Sequence, residues 1–88
     1  MKPKVNRYAQ AAVMEAVENQ LRNNDPPQTQ QTLKRLLAAG HSIKEAKQMV
    51  GAVVASEIFD VLKNQQSFNL NRFVERLDKL PKMPWEDE

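Results

Sequence analysis

The stretch IKEAKQMVGAVVASEIFDVLKN, residues Ile43–Asn64, decides the fold of this 88-residue chain. Its apolar residues recur every three or four positions, which is the period of an α-helix. One broad face is formed by Ile43, Ala46, Val50, Val53, Val54, Ile58, Val61 and Leu62. Met49, Ala52 and Phe59 add apolar groups on another side. A helix that is apolar over so much of its circumference is expected at the centre of a helical domain.

The residues in front of this helix predict a sharp start. Gly40 accepts the left-handed conformation that commonly ends a helix. Ser42, followed three residues later by Glu45, is the pattern of a capping box, in which the two side chains bond each other's free backbone N–H groups. Gly51, inside the helix, costs about 1 kcal/mol relative to alanine, which predicts the close approach of another helix.

Three shorter helices are predicted beside the central one, at about residues 6–23, 27–39 and 70–80, followed by a tail at 81–88. Asp25 is expected to cap the second of these helices and Asn69 the last, where Phe68 is placed to staple the first turn. Their predicted buried stripes contain Val5, Ala9, Ala12, Val13, Ala16, Val17 and Leu21, then Leu33, Leu36 and Leu37, then Leu70, Phe73, Val74, Leu77 and Leu80. The sequence therefore predicts a single all-α domain over residues 1–88, a four-helix bundle-like arrangement with a long central third helix.

Composition restricts the classes of function. The chain has 41% hydrophobic and 27% charged residues, no cysteine and a formal net charge of +2. Without cysteine there is no disulfide and no thiolate for metal binding or nucleophilic attack. The residues up to Val50 carry 8 basic and 4 acidic side chains and the remainder 5 and 7, a weaker bias than most DNA-binding domains show. No apolar run of about 18 residues predicts a membrane span, and no apolar signal core follows the first residues, so a cytoplasmic protein is expected.

Two groups of polar residues are candidates for a catalytic or a metal site. His41 is the only histidine, and a catalytic base needs a nucleophile and an orienting partner nearby. Only Ser42 stands beside it, and that hydroxyl is expected to cap a helix. A carboxylate metal centre in a helical bundle takes several glutamates and Glu-x-x-His pairs, and the chain has no such pair. We therefore expect no enzyme activity, no catalytic residue, no metal and no cofactor.

Two further residues stand out by their surroundings. Glu57 interrupts the apolar central helix, which predicts a partly buried carboxylate paired with Arg or Lys, or accepting from Tyr8. A binding hot spot is the alternative reading of Glu57. Trp85 is the only tryptophan and stands in a Pro-flanked acidic tail. It is expected either to fold back over the open end of the bundle or to insert into a groove of a partner.

The second and third helices, joined by a short Gly turn, also have the outline of a helix-turn-helix. Its nucleic-acid contacts would be Lys34, Arg35, Lys44 and Lys47. From Met49 onward the third helix is core-like and offers little to a groove, so the pattern argues against nucleic acid as the partner.

Two resemblances rest on these same segments. The Thr32–Ala46 stretch TLKRLLAAGHSIKEA, the Pro26-Pro27 opening and the segments Glu57–Lys63 and Phe73–Pro81 resemble a family of small uncharacterised bacterial all-helical proteins. That resemblance implies a compact helical domain and carries over no active site. The Gly turn is also similar to the first loop of ubiquitin-associated-type helical domains, where residues around the turn dock onto a partner.

The function favoured by the sequence is a non-enzymatic protein-interaction or accessory module. Candidate contacts with an unknown protein partner are His41, Lys44, Lys47, Glu57 and Trp85. The apolar surplus of the third helix further predicts a homodimer, with Met49, Ala52, Phe59 or the first helix at the seam.

Overall fold

A computed structural model describes the backbone of residues 7–86 and the side chains of residues 10–86. Its elements are α1 (Arg7–Asn23), α2 (Pro27–Ala38), α3 (Ile43–Asn64), α4 (Leu70–Lys79) and a 3-10 turn (Pro84–Glu86). The described residues contain no strand. The predicted all-α fold with a long third helix is confirmed. The predicted start of the first helix at residue 6 and the Val5 part of its stripe lie outside the described residues.

The third helix is the common neighbour of the other elements. α1, α2, α4 and the 3-10 turn each contact α3. It supplies five of the buried hydrophobic side chains, namely Ala46, Met49, Val50, Val53 and Val54. The other helices and the segment after α4 complete the core with Val17, Leu33, Leu36, Phe73, Leu77 and Leu80. The central position of α3 therefore follows from its apolar circumference.

Hydrogen-bonded caps define where α3 and α4 begin. The Glu45 N–H donates to Ser42 Oγ at 3.0 Å and the Ser42 N–H donates to Glu45 Oε1 at 2.9 Å, which completes the predicted capping box. Gly40 has φ +102° and closes α2, as its position predicted. Asn69 accepts the Arg72 N–H at 3.0 Å, and the Phe68 and Phe73 rings lie 5.8 Å apart across the first turn of α4.

The predicted approach of a helix to Gly51 is confirmed. A Cβ atom at this position would lie 3.1 Å from Met14 Sδ and 3.4 Å from Val13 Cγ1, both on α1. Because glycine has no side chain, α1 reaches the backbone of α3 at this point. Gly51 is the place where the two helices cross.

The Asp25 cap was wrongly predicted. The N-cap of α2 is Pro26, and no side chain bonds the free N–H groups there. Because α2 begins one residue later than a cap at Asp25 requires, the Asp25 carboxylate is out of place for that bond. Pro27 occupies the first turn, where its missing N–H removes one of the groups that a cap would have to satisfy.

The buried face of α2 also differs from the prediction. Leu37 is 38% exposed, and the buried positions are Thr29, Thr32, Leu33 and Leu36. These four lie on a single helical face, which is rotated away from Leu37 and toward Thr29 and Thr32 relative to the predicted ridge. The Thr29 hydroxyl donates to Gln20 Oε1 at 2.9 Å, so a polar side chain is accommodated between α1 and α2.

On α1, α3 and α4 the predicted apolar stripes were wider than the buried faces. Ile43, Ile58, Phe59, Leu62 and Leu70 are exposed large hydrophobic residues, and Ala12 is exposed too. Periodicity identifies the apolar face of a helix, but it contains no information on how far the neighbouring helices extend along it.

Candidate functional site

Glu57 of α3 is buried, with 3% of its surface exposed, and its carboxylate is bound from α4. Its Oε1 accepts from Arg72 Nη2 at 2.7 Å and from the Asn69 N–H at 3.0 Å. Its Oε2 accepts from Arg72 Nε at 2.9 Å and lies 3.5 Å from Arg76 Nη1. The predicted pairing of Glu57 with arginine is confirmed, and the Tyr8 side chain lies outside the described residues.

The ion pairs continue one turn further along α3. Arg76 Nη2 lies 2.6 Å from Asp60 Oδ2, and Arg72 Nη1 donates to Gln66 Oε1 at 3.2 Å. Two acidic residues of α3 are therefore bound by two arginines of α4. We call this set, Glu57, Asp60, Arg72 and Arg76, the α3–α4 ionic cluster.

The Arg72 guanidinium holds the pKa of Glu57 below its ordinary value of 4.5, against the raising effect of burial. The Asn69 N–H and Arg76 act in the same direction. Glu57 in turn raises the pKa of Arg72. Both partners therefore remain charged at neutral pH. A carboxylate so fully bonded has no free lone pair directed at solvent, so its role is to position α4 on α3.

The opposite side of the same part of α3 is apolar and open to solvent. Ile58 is 45% exposed, Phe59 61% and Leu62 74%. Leu62 follows Phe59 by three positions and Ile58 by four, which are the spacings of neighbouring side chains on a helix surface, so the three form one patch, which we call the outer face. The Lys63 ammonium lies over the Phe59 ring, 5.6 Å from the ring centroid.

Half-buried alanines extend this patch toward the start of α3. Ala52, Ala55, Phe59 and Leu62 follow a spacing of three, four and three residues, which places them in one row along the helix. The row begins beyond the place where α1 crosses at Gly51. The row therefore has small side chains at the end nearer the start of α3 and large protruding side chains at the other end.

Of the predicted homodimer seam, Met49 is buried in the core and does not belong to this surface. Ala52 and Phe59 do lie on the row. Periodicity therefore placed Met49 wrongly, because this side chain packs against the other helices of its own chain.

The predicted partner-binding residues are scattered over the molecule. His41 is half-buried in the α2–α3 turn, where its backbone N–H donates to the Leu36 carbonyl oxygen at 3.1 Å. Trp85 is half-buried in the 3-10 turn that contacts α3, and the adjacent Met83 packs on the core. The turn thus lies against the bundle, in agreement with a tail that folds back. His41, which precedes the first residue of α3, does not share a site with Glu57.

Two of the four predicted nucleic-acid contacts are engaged within the protein. Lys47 Nζ lies 2.8 Å from Glu18 Oε1 of α1. Arg35 donates to Leu80 O at 2.8 Å and to Leu77 O at 2.9 Å, which satisfies carbonyls at the end of α4. Lys34 and Lys44 are exposed on different helices. The four cations therefore do not form one free basic surface.

A shallow groove lies between α1 and the start of α3. Its lining is Gln10, Met14, Ile43, Lys44, Lys47 and Gln48. No group of three His, Asp or Glu side chains among the described residues is placed to hold a metal ion. The Oε1 atom of Gln28 is buried without a hydrogen-bond partner within residues 10–86.

Three features of this arrangement have no local sequence pattern that predicts them. Arg35 is 42 and 45 residues from the carbonyls it bonds, and no local pattern links positions so far apart. The Thr29–Gln20 bond is likewise a contact between helices. The outer face could be read only as surplus apolar surface, since its exposure depends on where α1 and α4 end.

Comparison with known proteins yields no relative. Neither a protein family, nor a curated protein, nor a solved structure matches the chain. Among the described residues, no helix combines the length and hydropathy that crossing a bilayer requires.

Proposed function

We propose that this protein is a non-enzymatic protein-interaction module whose contact surface is the outer face of α3. The observation that carries the proposal is the exposure of Ile58, Phe59 and Leu62, at 45%, 61% and 74%, on consecutive turns of one helix. Single exposed apolar residues are ordinary on a protein surface, but adjacent large ones favour an interaction site.

The magnitude of the available burial supports a specific but modest contact. Complete burial of a Leu, Ile or Phe side chain contributes roughly 1.5–3 kcal/mol. Scaled by their exposed fractions, the three residues offer roughly 3–5 kcal/mol. A micromolar complex requires about 8 kcal/mol, so residues at the rim must contribute the remainder. Phe59 and Leu62 are the expected hot spots because they protrude most.

The ionic cluster supports the proposal by holding the surface still. Glu57 and Asp60 bind α4 on one side of α3 while Ile58, Phe59 and Leu62 face away from it. A helix face that is already ordered loses little conformational freedom on binding.

Nucleic-acid binding is the weaker candidate. Lys47 and Arg35 are engaged by Glu18 and by the end of α4, which leaves Lys34 and Lys44 as exposed members of the predicted set. A mobility-shift titration in low salt is expected to show no complex, because few phosphates would be neutralised. A complex whose affinity falls steeply with added salt would favour this second function.

Affinity capture with matched variants tests the proposed function. The double variant Phe59→Ser, Leu62→Ser is expected to fold like the wild type, since both side chains are exposed, and to lose the bound protein. Ile43→Ser is the matched control, because it removes an exposed apolar side chain at the other end of the same helix. The proposal is wrong if the double variant retains every interaction of the wild type, including self-association, at wild-type strength.

A further inference from the structure

We infer that the occupant of the outer face is a second copy of this chain, bound through an antiparallel pairing of α3 with α3. This inference rests on the proposed function, because it uses the same surface. A two-fold dimer buries the same patch on both protomers, so the patch must be complementary to itself. The described residues meet that condition in shape and in charge.

Shape complementarity follows from the order of side-chain sizes along the row. The row passes from Ala52 and Ala55, which are half-buried, to Phe59 and Leu62, which protrude. In an antiparallel pair with its two-fold axis beside residue 57, Phe59 of each copy lies opposite Ala55 of the other. Leu62 then lies opposite Ala52. Large side chains are thereby placed over small ones along the whole seam.

Charge disfavours a pairing centred on the middle of α3 and is compatible with the register about residue 57. The cations of the exposed side are Lys44 near the start of α3 and Lys63 near its end. An axis at the middle of the helix, between residues 53 and 54, would place Lys44 of one copy opposite Lys63 of the other. With the two-fold axis at residue 57, Lys44 of one copy no longer lies opposite Lys63 of the other. The acidic residues of this half of α3, Glu57 and Asp60, are bound by arginines of their own chain and bring no repulsion to the seam.

The chain's size favours such a partner. An 88-residue domain buries a small fraction of its surface compared with larger domains, and burial against a copy adds to its core. The apolar part of the outer face is narrower than a standard interface, which buries about 1,600 Å² in total. The pairing is therefore expected to be weak, with a dissociation constant in the micromolar range.

Sedimentation equilibrium across concentrations tests the inference. The wild type is expected to show a weight-average mass near 10.1 kDa when dilute, rising toward twice that value between about 10 µM and about 1 mM. Phe59→Asp is expected to remain monomeric throughout, while Ile43→Asp should dimerise like the wild type. A wild-type mass that stays at 10.1 kDa up to about 1 mM overturns the inference.

The predicted register has a test of its own. Ala55→Phe fills the space that receives Phe59, so it is expected to weaken self-association at least tenfold although it makes the outer face more apolar. Because the chain has no cysteine, single-cysteine variants also report geometry cleanly. Ile58→Cys, beside the axis, should cross-link efficiently with a short bifunctional maleimide, whereas Lys34→Cys on α2 should not. Equal cross-linking of the two variants, or unchanged association of Ala55→Phe, contradicts the antiparallel pairing.

The two proposals fail in different ways. If the wild type is monomeric but captures another protein through Phe59 and Leu62, the second-copy inference is wrong and the proposed function stands. If neither self-association nor capture depends on these residues, both are wrong. Circular dichroism melting of each variant confirms that loss of binding does not reflect loss of folding.

Discussion

At the scale of single residues, Glu57 connects charge to stability. Its buried carboxylate accepts from two donors of Arg72 and from the Asn69 N–H, so it satisfies the start of α4 as well as an arginine. Removing one partner of a buried ion pair is costly because the other partner is left unpaired. Arg72 and Arg76 are about a quarter exposed, and solvent compensates part of that loss.

We predict that Glu57→Gln lowers the free energy of unfolding at neutral pH by about 2 kcal/mol. The amide keeps the shape but removes the negative charge that both arginines face. Urea denaturation of the two proteins measures the difference. Glu15→Gln, at an exposed glutamate with no ion pair among the described residues, is the matched control and should change little. An unchanged midpoint for Glu57→Gln would contradict a stabilising role for the ionic cluster.

Stability is also predicted to depend on pH through this residue. The folded-state pKa of Glu57 is lowered, so its contribution is complete above the ordinary value of 4.5 and is lost as the pH falls through the folded-state pKa. The wild type should therefore lose more stability between about pH 6 and about pH 3 than Glu57→Gln does. Denaturation series at several pH values check this. Parallel acid profiles would assign the loss to other carboxylates, such as the Glu45 cap, whose pKa the Ser42 N–H also lowers.

At the scale of elements, α4 shows how a short helix is held. It has 10 residues and buries two large side chains, Phe73 and Leu77. Its first turn is bound by Glu57 and its last carbonyls by Arg35, two residues on different helices. A helix of this length is marginal alone, so its stability depends on these contacts.

We predict that Arg35→Ala lowers the free energy of unfolding by about 1–2 kcal/mol, because two charge-assisted hydrogen bonds to the end of α4 are lost in a partly solvated position. Arg35→Lys should recover only part of this, since an ammonium cannot span both carbonyls in a planar fork. Lys34→Ala, at the neighbouring exposed position, serves as the control. Thermal melting of the three variants measures the order, and equal effects of Arg35→Ala and Lys34→Ala would refute it.

The crossing of α1 and α3 yields a prediction that depends on side-chain size. At Gly51 an added methyl group gains about 1 kcal/mol of helix propensity but meets Met14 Sδ at 3.1 Å. The flexible Met14 can yield, so Gly51→Ala is expected within about 1 kcal/mol of the wild type. Gly51→Leu must displace α1 and should cost about 2–3 kcal/mol or more. Chemical denaturation distinguishes the two, and a Gly51→Leu protein of wild-type stability would show that α1 does not pack there.

At the scale of the whole molecule, the buried surface of α3 organises the fold. Val54 is 5% exposed within the hydrophobic core. We predict that Val54→Asp abolishes cooperative unfolding, because it places an unpaired charge in the core. Ile58→Asp, on the same helix but at an exposed position, should retain a cooperative transition. A normal melting curve for Val54→Asp would mean that α3 is not the centre of the structure.

The sequence predicted those parts of the fold that depend on local chemistry. The bounds of α3, its Ser42–Glu45 cap and the Phe68–Phe73 staple follow from residues within a few positions of one another. The sequence also predicted an arginine or lysine for Glu57, since a charge in an apolar helix needs a partner, but not which one. The exposure of Phe59 and Leu62 could not be predicted, because it depends on the length and crossing angle of other helices. Asp25 does not cap α2 because the N-cap position is Pro26, one residue later than predicted, and such a shift cannot be read from the sequence pattern.

The attachment of α4 at both ends has a consequence for the way its sequence can change. Apolar contacts alone would let a short rod roll about its long axis, because they have no preferred direction. Glu57 and Arg35 bond its two ends directionally and so prevent that rotation. Conservative exchanges among the aliphatic residues beneath it should therefore leave its orientation intact. The solvent-facing positions of α4 accordingly form a steady platform on which foreign side chains can be grafted.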